Sequence, residues 1–261
     1  YDAETLAFKS AEKLLKNFSV DPDVLLYVTQ SQKYVLPGSG VLLHDKLKLK
    51  KNCAVFDINA GCSGFIQALI VASNMISSVK NILIVCADQY RKKLDDNDRS
   101  TRAVFSDGAS AILISSEPKI KIISSEIQIK GDFYHMLLQK KDSLNDNENK
   151  LNMSGRELWH FTRENIIPDI NKILEKFRKK NTECTDIFIH QASKVVVDGI
   201  ESELKHSANL HRNYMFKGNT VSSTIPILIK DSNIDINSCN SILSGFGVGL
   251  MSYTVGLEKI S

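Results

Sequence analysis

The sequence lacks several features that would place it in a membrane, outside the cell or on nucleic acid. It has no apolar run long enough to span a bilayer, and it shows no charged and apolar segments of a secretory signal. Its five cysteines are widely spaced and include no CxxC pair, so neither a disulfide framework nor a zinc site is indicated. Its basic residues are scattered without interleaved aromatics, which disfavours nucleic-acid binding. These absences predict a protein of the reducing cytoplasm.

Patterns typical of strands and of amphipathic helices alternate along the chain, as in α/β folds. Strands are predicted at 24–29, 54–58, 81–87, 109–115, 120–123, 186–189, 241–243 and 251–257. Those at 109–115 and 120–123 are expected to pair with each other. A polar stretch rich in Asn and Asp at 140–150 interrupts the pattern, which then restarts. The sequence therefore predicts two α/β halves in tandem, 1–139 and 151–261.

Helical spacing of apolar residues defines the remaining elements. Helices are predicted at 4–18, 63–76, 157–177, 195–204 and 219–230. The third of these contains Pro168, which we expect to kink or divide it because proline removes a backbone donor.

One cysteine, Cys62, lies between a strand and a predicted helix in the stretch DINAGCSGF. A cysteine at such a place is most often a small core residue. A helix start would nevertheless lower the pKa of the thiol and favour a nucleophilic thiolate. Gly61 and Gly64 leave space for another group to approach closely.

Three further stretches place polar or flexible groups where sites often form. His190 directly follows a strand in IHQAS, and sites collect at the carboxyl ends of strands in α/β sheets. Asn219 lies in GNTVSSTIP, where it could equally be a turn residue or a helix cap. The segment GFGVG at 245–249 is either a plain turn or a way to bring a backbone N–H to a reacting oxygen.

Taken together, these stretches resemble the β-ketoacyl-ACP synthase III family of thiolase-fold condensing enzymes. The resemblance extends in order over nearly the whole chain, through PGSG, DINAGCSGF, DRSTRAVFSDGASA, LNMSGRELW, IHQAS, GNTVSSTIP and GFGVGL. It implies an α/β protein with the duplicated, thiolase-like five-layered α-β-α-β-α fold, and it implies a homodimer. The family's first strand has no counterpart ahead of the first helix, so we expect the first strand of the amino-terminal half to be missing.

The resemblance also implies roles for particular residues. Cys62 would accept the acyl group, and the backbone N–H groups of Cys62 and Val248 would form the oxyanion hole. His190 and Asn219 would hydrogen-bond the carbonyl of a malonyl thioester during decarboxylation. No metal and no permanently bound cofactor is implied, because coenzyme A enters as the thioester of the substrate.

Two less central residues are carried over in the same way. Arg99 matches an arginine that contacts coenzyme A in the family, and Leu36 matches a residue that reaches into the acyl pocket of the partner subunit. The implied partners are therefore acyl-CoA, a second copy of the chain, and an acyl carrier protein.

The expected docking face for the carrier protein departs from the family. In the helix after His190, Val195 stands where the family has an arginine, and Ser202-Glu203 stands where the family has a pair of basic residues. Elsewhere, His160 replaces another basic residue that docks the carrier protein in the family. These changes fit a specialised carrier or free coenzyme A, since steering of an acidic partner would be weaker.

Three functions remain open from the sequence. The first is a decarboxylative condensing enzyme of fatty-acid initiation or a related pathway, and the second is a same-fold acyltransferase that moves the acyl group from Cys62 to a hydroxyl or amine. The third is a catalytically idle partner subunit. A biosynthetic thiolase is disfavoured because GFGVG supplies no second cysteine, and Cys239 lies before the last strand.

Overall fold

The computed structural model describes residues 1–140, 149–204 and 207–260. The helices are α1 (Ala3–Phe18), α2 (Ser39–Lys46), α3 (Gly64–Met75), α4 (Arg99–Arg102), α5 (Gly155–Lys179), α6 (Lys194–Glu203), α7 (Tyr214–Lys217) and α8 (Thr224–Asp231). The strands are β1 (Val24–Val28), β2 (Ala54–Ile58), β3 (Asn81–Asp88), β4 (Gly108–Ser115), β5 (Ile120–Ile129), β6 (Leu137–Gln139), β7 (Leu151–Met153), β8 (Asp186–Ile189), β9 (Asn209–Leu210), β10 (Ser241–Gly247) and β11 (Met251–Lys259). No helix in these ranges is both long and apolar enough to cross a bilayer.

The first sheet has the strand order β2-β1-β3-β4. Strand β1 runs parallel to both neighbours, and β4 closes the sheet antiparallel to β3. Every residue of β1 is buried, as expected for a central strand that is covered on both faces.

The second sheet repeats this arrangement and adds one strand. Its order is β5-β11-β10-β8-β9, so β9, β8, β10 and β11 take the places of β2, β1, β3 and β4. Within the described ranges, the first sheet has no strand equivalent to β5. In each half a three-residue 3-10 turn, Gly61–Ser63 or Val221–Ser223, leads directly into a helix, α3 or α8.

Three apolar clusters show that the sheets and helices form alternating layers. Side chains of α3 and α8 pack between the two sheets in one cluster. Helices α1 and α2 cover the outer face of the first sheet, and α5 and α6 cover that of the second. The predicted α-β-α-β-α layering is thus confirmed.

The expected pairing of two neighbouring strands is corrected. The strands at 109–115 and 120–123 do not pair: β4 pairs with β3, whereas β5 crosses to the other sheet and pairs with β11. An alternating pattern identifies a strand but does not identify its partner. The division at 1–139 and 151–261 remains a prediction, with β5 belonging to the second sheet.

The helix around Pro168 is undivided, so of the two expected effects, a kink or a division, division does not occur. Helix α5 runs through the proline from Gly155 to Lys179. Pro168 and Glu164, whose carbonyl loses its donor, both lie on the exposed face. Water can therefore satisfy that carbonyl while the opposite face stays packed.

Candidate active site

Cys62 occupies the middle of the 3-10 turn Gly61–Ser63 at the start of α3. Gly61 has φ +51°, and a Cβ there would lie 2.5 Å from Oε1 of Gln30. A Cβ on Gly64 would lie 2.4 Å from Cγ1 of Val28. These two glycines let the turn lie directly against the end of β1, which fixes where the thiol points.

The glycine-rich end of β10 passes immediately beside this thiol. A Cβ on Gly247, whose φ is +155°, would lie 3.2 Å from Sγ of Cys62. Val248 follows and is partly buried in the same apolar cluster as Cys62. Within the described ranges its backbone N–H donates to no carbonyl, so this N–H is available to an oxygen bound beside Sγ.

Burial controls the ionisation of Cys62. The residue is 4 % exposed, and desolvation, followed by the negative charge of Asp88, raises the pKa of its thiol well above the usual value. The backbone N–H of Cys62 lowers this pKa but does not outweigh burial. The expectation of a net lowering by the helix start is therefore wrong, because the thiol is far less solvated than its sequence position indicates.

His190 is held in a fully buried position at the end of β8. Its backbone N–H donates to the carbonyl of Ser244 at 2.8 Å, and Nδ1 lies 2.6 Å from Oγ1 of Thr224. The edge of its ring meets Phe246, with centroids 5.5 Å apart. Burial lowers the pKa of His190 to about 3, so the ring is neutral at physiological pH.

Asn219 is anchored by its backbone to the segment before β4. Its N–H donates to the carbonyl of Val104 at 3.0 Å, and its carbonyl accepts from the N–H of Ser106 at 2.8 Å. Its side-chain Oδ1 accepts from the N–H of Val221 at 2.9 Å, which fixes the orientation of the amide. The Nδ2 group makes one long contact, 3.5 Å to the carbonyl of Ala192, and so retains donor capacity.

These elements meet at one place between the two sheets. The Cys62 turn packs against both β10 and the turn Val221–Ser223. The thiol belongs to an apolar cluster with Tyr90, Leu94, Phe105, Leu137, Leu151 and Val221. His190 reaches the same turn through Thr224, and Asn219 directly precedes it. A buried thiol, a neutral imidazole and an oriented amide thus belong to one assembly of turns and strand ends, lined by apolar side chains.

Two carried-over residues lie outside this assembly. Arg99 is exposed at the start of α4. Leu36 is 85 % exposed in the loop before α2, beside the exposed Tyr34 and Val35. Both positions are accessible to another molecule, as their predicted roles require.

Sequence reasoning missed three residues that hold the site in place. Thr224 contacts His190, and Ser222 and Asp88 contact each other across the two halves. Ser222 and Thr224 lie within the GNTVSSTIP stretch, and Asp88 was visible as a charged residue that ends an apolar strand. In the described part of the chain, no group of three or more metal-ligating side chains comes together.

Comparison with known proteins gives consistent matches. Residues 56–131 match the family model of 3-oxoacyl-[acyl-carrier-protein] synthase III. The β-ketoacyl-[acyl-carrier-protein] synthase III of Clostridium perfringens strain ATCC 13124 is 33% identical over 94% of this chain and 81% of its own length. The Clostridium novyi protein of that name is 31% identical with the same coverage. The crystal structure of 3-oxoacyl-[acyl-carrier-protein] synthase III from Aquifex aeolicus superposes with a TM-score of 0.84 at 26% identity, covering 99% of this chain and 85% of the other.

Proposed function

The chain belongs to the β-ketoacyl-[acyl-carrier-protein] synthase III family, and on that premise we propose that it is the condensing enzyme that starts acyl chains. It transfers an acyl group from acyl-CoA to Cys62 and then condenses that group with a malonyl thioester carried by acyl carrier protein. The observation that carries the proposal is the assembly of a buried thiol, a neutral histidine and an oriented asparagine around one turn.

In the first step Sγ of Cys62 attacks the thioester carbonyl of acyl-CoA. The carbonyl oxygen becomes negative in the tetrahedral intermediate, and the backbone N–H groups of Cys62 and Val248 donate to it. Coenzyme A leaves as its thiol and takes up the proton that the Cys62 thiol loses. Because burial opposes the thiolate, this proton must leave as the carbon–sulfur bond forms.

In the second step the malonyl thioester loses CO₂. The electron pair of the broken carbon–carbon bond moves toward the thioester oxygen, where Nε2 of His190 and Nδ2 of Asn219 donate hydrogen bonds. A neutral imidazole suits this role, since it can donate a hydrogen bond without transferring a proton to the enolate. The enolate carbon attacks the acyl-Cys62 carbonyl, and the carbon–sulfur bond breaks to release the β-ketoacyl thioester. The Cys62 sulfur leaves as a thiolate and takes up a proton from solvent, which restores the thiol.

The experiment that tests this function is intact-protein mass spectrometry with acyl-CoA donors, followed by addition of malonyl thioester. We expect an acyl mass gain that disappears in Cys62→Ala, then discharge of the acyl group with release of CO₂. An acyl group that persists in the presence of malonyl thioester would contradict condensation and would support transfer to a hydroxyl or amine. Absence of CO₂ and of β-ketoacyl product would also contradict it.

The carrier protein would approach a face on which two cations are already paired. Lys194 lies 2.5 Å from Asp198 on α6, and Arg163 lies 2.8 Å from Glu203. Charges that are compensated within the protein contribute little to long-range steering of an acidic partner. We therefore propose acyl carrier protein as the partner, with a weak dependence of its binding on salt.

We also propose that the enzyme is a cytoplasmic homodimer formed along β2. This strand is the edge of the first sheet, and Phe56 on it is 47 % exposed. The exposed Val35 and Leu36 lie in the loop just before α2, which packs on this strand. Pairing of two β2 edges would cover this apolar surface and would allow Leu36 to reach the partner's acyl site. The five free cysteines support a reducing compartment.

A further inference from the structure

Asp88 is a fully buried carboxylate at the end of β3 that the proposed reaction does not use. Its Oδ1 accepts the backbone N–H of Gln30 at 2.7 Å. Its Oδ2 accepts the hydroxyl of Ser222 at 2.5 Å and the backbone N–H of Ser222 at 3.3 Å. A buried charge is costly unless its hydrogen bonds are satisfied, so these contacts define what the carboxylate holds in place.

The bonds of Asp88 connect the two halves of the site. Gln30 follows β1 in the half that carries Cys62. Ser222 is the middle residue of the turn in the other half. Ser223 adds a second tie to β3, because its hydroxyl donates to the carbonyl of Cys86 at 3.0 Å.

The turn that Asp88 holds lies between the two groups assigned to decarboxylation. On one side, Oδ1 of Asn219 accepts the N–H of Val221. On the other side, Thr224 contacts Nδ1 of His190. A shift of Ser222 would therefore displace the amide and the imidazole together, and small displacements of such donors cost large factors in rate.

We propose that Asp88 is a positioning residue that ties the Val221–Ser223 turn, and with it Asn219 and His190, to the strand ends beside Cys62. The inference rests on the proposed condensation and adds that decarboxylation depends on a carboxylate supplied by the other half. Acylation of Cys62 depends less on Asp88, because the thiol and the two oxyanion donors belong to the Gly61–Ser63 turn and to Val248 directly after β10.

The negative charge of Asp88 also raises the pKa of the Cys62 thiol, so ionisation of this thiol provides a second measurement. The titratable groups facing Asp88 are Tyr27 on β1, Cys62, Cys86 on β3, Tyr90 and Lys93. Of these five only Lys93 is a cation, and burial lowers its pKa. Removal of the negative charge should therefore make Cys62 easier to ionise.

Two variants separate the positioning role of Asp88 from the effect of its negative charge. Asp88→Asn keeps the size and an acceptor for Gln30, but its amide places a donor where the N–H and hydroxyl of Ser222 donate. Ser222→Ala loses the hydroxyl bond and keeps the buried charge. We expect both to lower CO₂ release from malonyl thioester by about 10-fold or more while single-turnover acylation stays within about threefold of wild type. The pH dependence of the rate at which iodoacetamide alkylates Cys62 should shift to lower pH in Asp88→Asn but not in Ser222→Ala.

Asp169→Asn is the matched control. Asp169 is a buried carboxylate on α5, the helix that covers the outer face of the second sheet. It accepts from Gln128 and Lys172, and its replacement should leave all three measurements unchanged. Unchanged CO₂ release in both site variants, or equal losses in acylation and CO₂ release, would overturn the positioning role. If wild type itself releases no CO₂, the proposed condensation fails. In that case the pH dependence of Cys62 alkylation still tests whether Asp88 lies close to the thiol. A pH dependence that is the same in Asp88→Asn and wild type would overturn that placement.

Discussion

At the scale of single residues, we expect one hydroxyl to set which ring nitrogen of His190 carries the proton. Thr224 has one hydroxyl proton and two acceptors within reach, Nδ1 of His190 at 2.6 Å and the carbonyl of Val221 at 3.1 Å. When the hydroxyl donates to Nδ1, the neutral ring carries its own proton on Nε2. That tautomer is the one that can donate to a thioester carbonyl.

Replacement of Thr224 by Val should therefore separate the two chemical steps. The shape is kept, but Nδ1 loses its donor, and the ring can place its proton on either nitrogen. We expect CO₂ release to fall by about 10-fold while acylation of Cys62 is retained. This loss is less than the roughly 100-fold or greater cost of removing an oriented donor, because the ring can still adopt the required tautomer. Thr224→Ser should behave like wild type. Equal rates for the Val and Ser variants would show that the hydroxyl does not set the tautomer.

The sequence predicts a site residue when the residue belongs to a short local motif. It does not predict one whose important contacts come from distant parts of the chain. Cys62, His190 and Asn219 were recognisable because each lies in a short local motif. The raised pKa of Cys62 was not, because it arises from side chains of both halves that surround the thiol. Asp88 was missed for the same reason: its partner, Ser222, lies more than a hundred residues away in the sequence.

At the scale of elements, β2 is an edge strand that exposes a large apolar side chain. One side pairs with β1, and the other side is open among the described residues. Its exposed Phe56 would be buried if two such edges met. Exposed edge strands with large apolar side chains usually pair with another chain.

Phe56→Asp should consequently dissociate the proposed dimer. A carboxylate at the centre of a buried interface is costly, so the mass measured by light scattering after gel filtration should fall from two chains to one. Phe18→Asp is the matched control, because Phe18 is 60 % exposed on α1, outside the proposed interface, and this variant should remain dimeric. A dimeric Phe56→Asp variant would exclude β2 as the interface.

Apolar periodicity predicted where the strands and helices lie in the sequence, but it did not predict which elements they pack against. The alternating pattern at 120–123 predicted a strand, and its assignment to the second sheet required knowledge of β11. The undivided α5 depended on which face of the helix Pro168 would occupy. Both outcomes are decided by tertiary packing, which a local pattern does not contain.

At the scale of the whole molecule, the buried neutral His190 links stability to pH. Its folded pKa of about 3 lies below the unfolded value of 6.5, so the folded state binds fewer protons than the unfolded state. This contribution is complete above pH 6.5 and is lost as the pH falls toward 3. Asp88 acts in the opposite direction, since its pKa is raised to about 6 and its contribution is lost as the pH rises through that value.

Comparison of wild type with His190→Asn isolates the histidine, because Asp88 is present in both proteins. Between pH 7 and pH 5 we expect wild type to lose about 2 kcal/mol more unfolding free energy than the variant. Denaturant unfolding at the two pH values measures this difference. Parallel losses in both proteins would mean that His190 is not buried in a neutral state.

The two 3-10 turns occupy equivalent places in the repeated halves, with Cys62 in the middle of one and Ser222 in the middle of the other. Two identical ancestral copies would have presented the same side chain from both turns. One turn presents a reactive thiol, while the other presents a hydroxyl that, in our proposal, Asp88 holds in place. The two halves thus contribute different groups, and a chimera built from two amino-terminal or two carboxy-terminal halves would keep the layers and lose the enzyme.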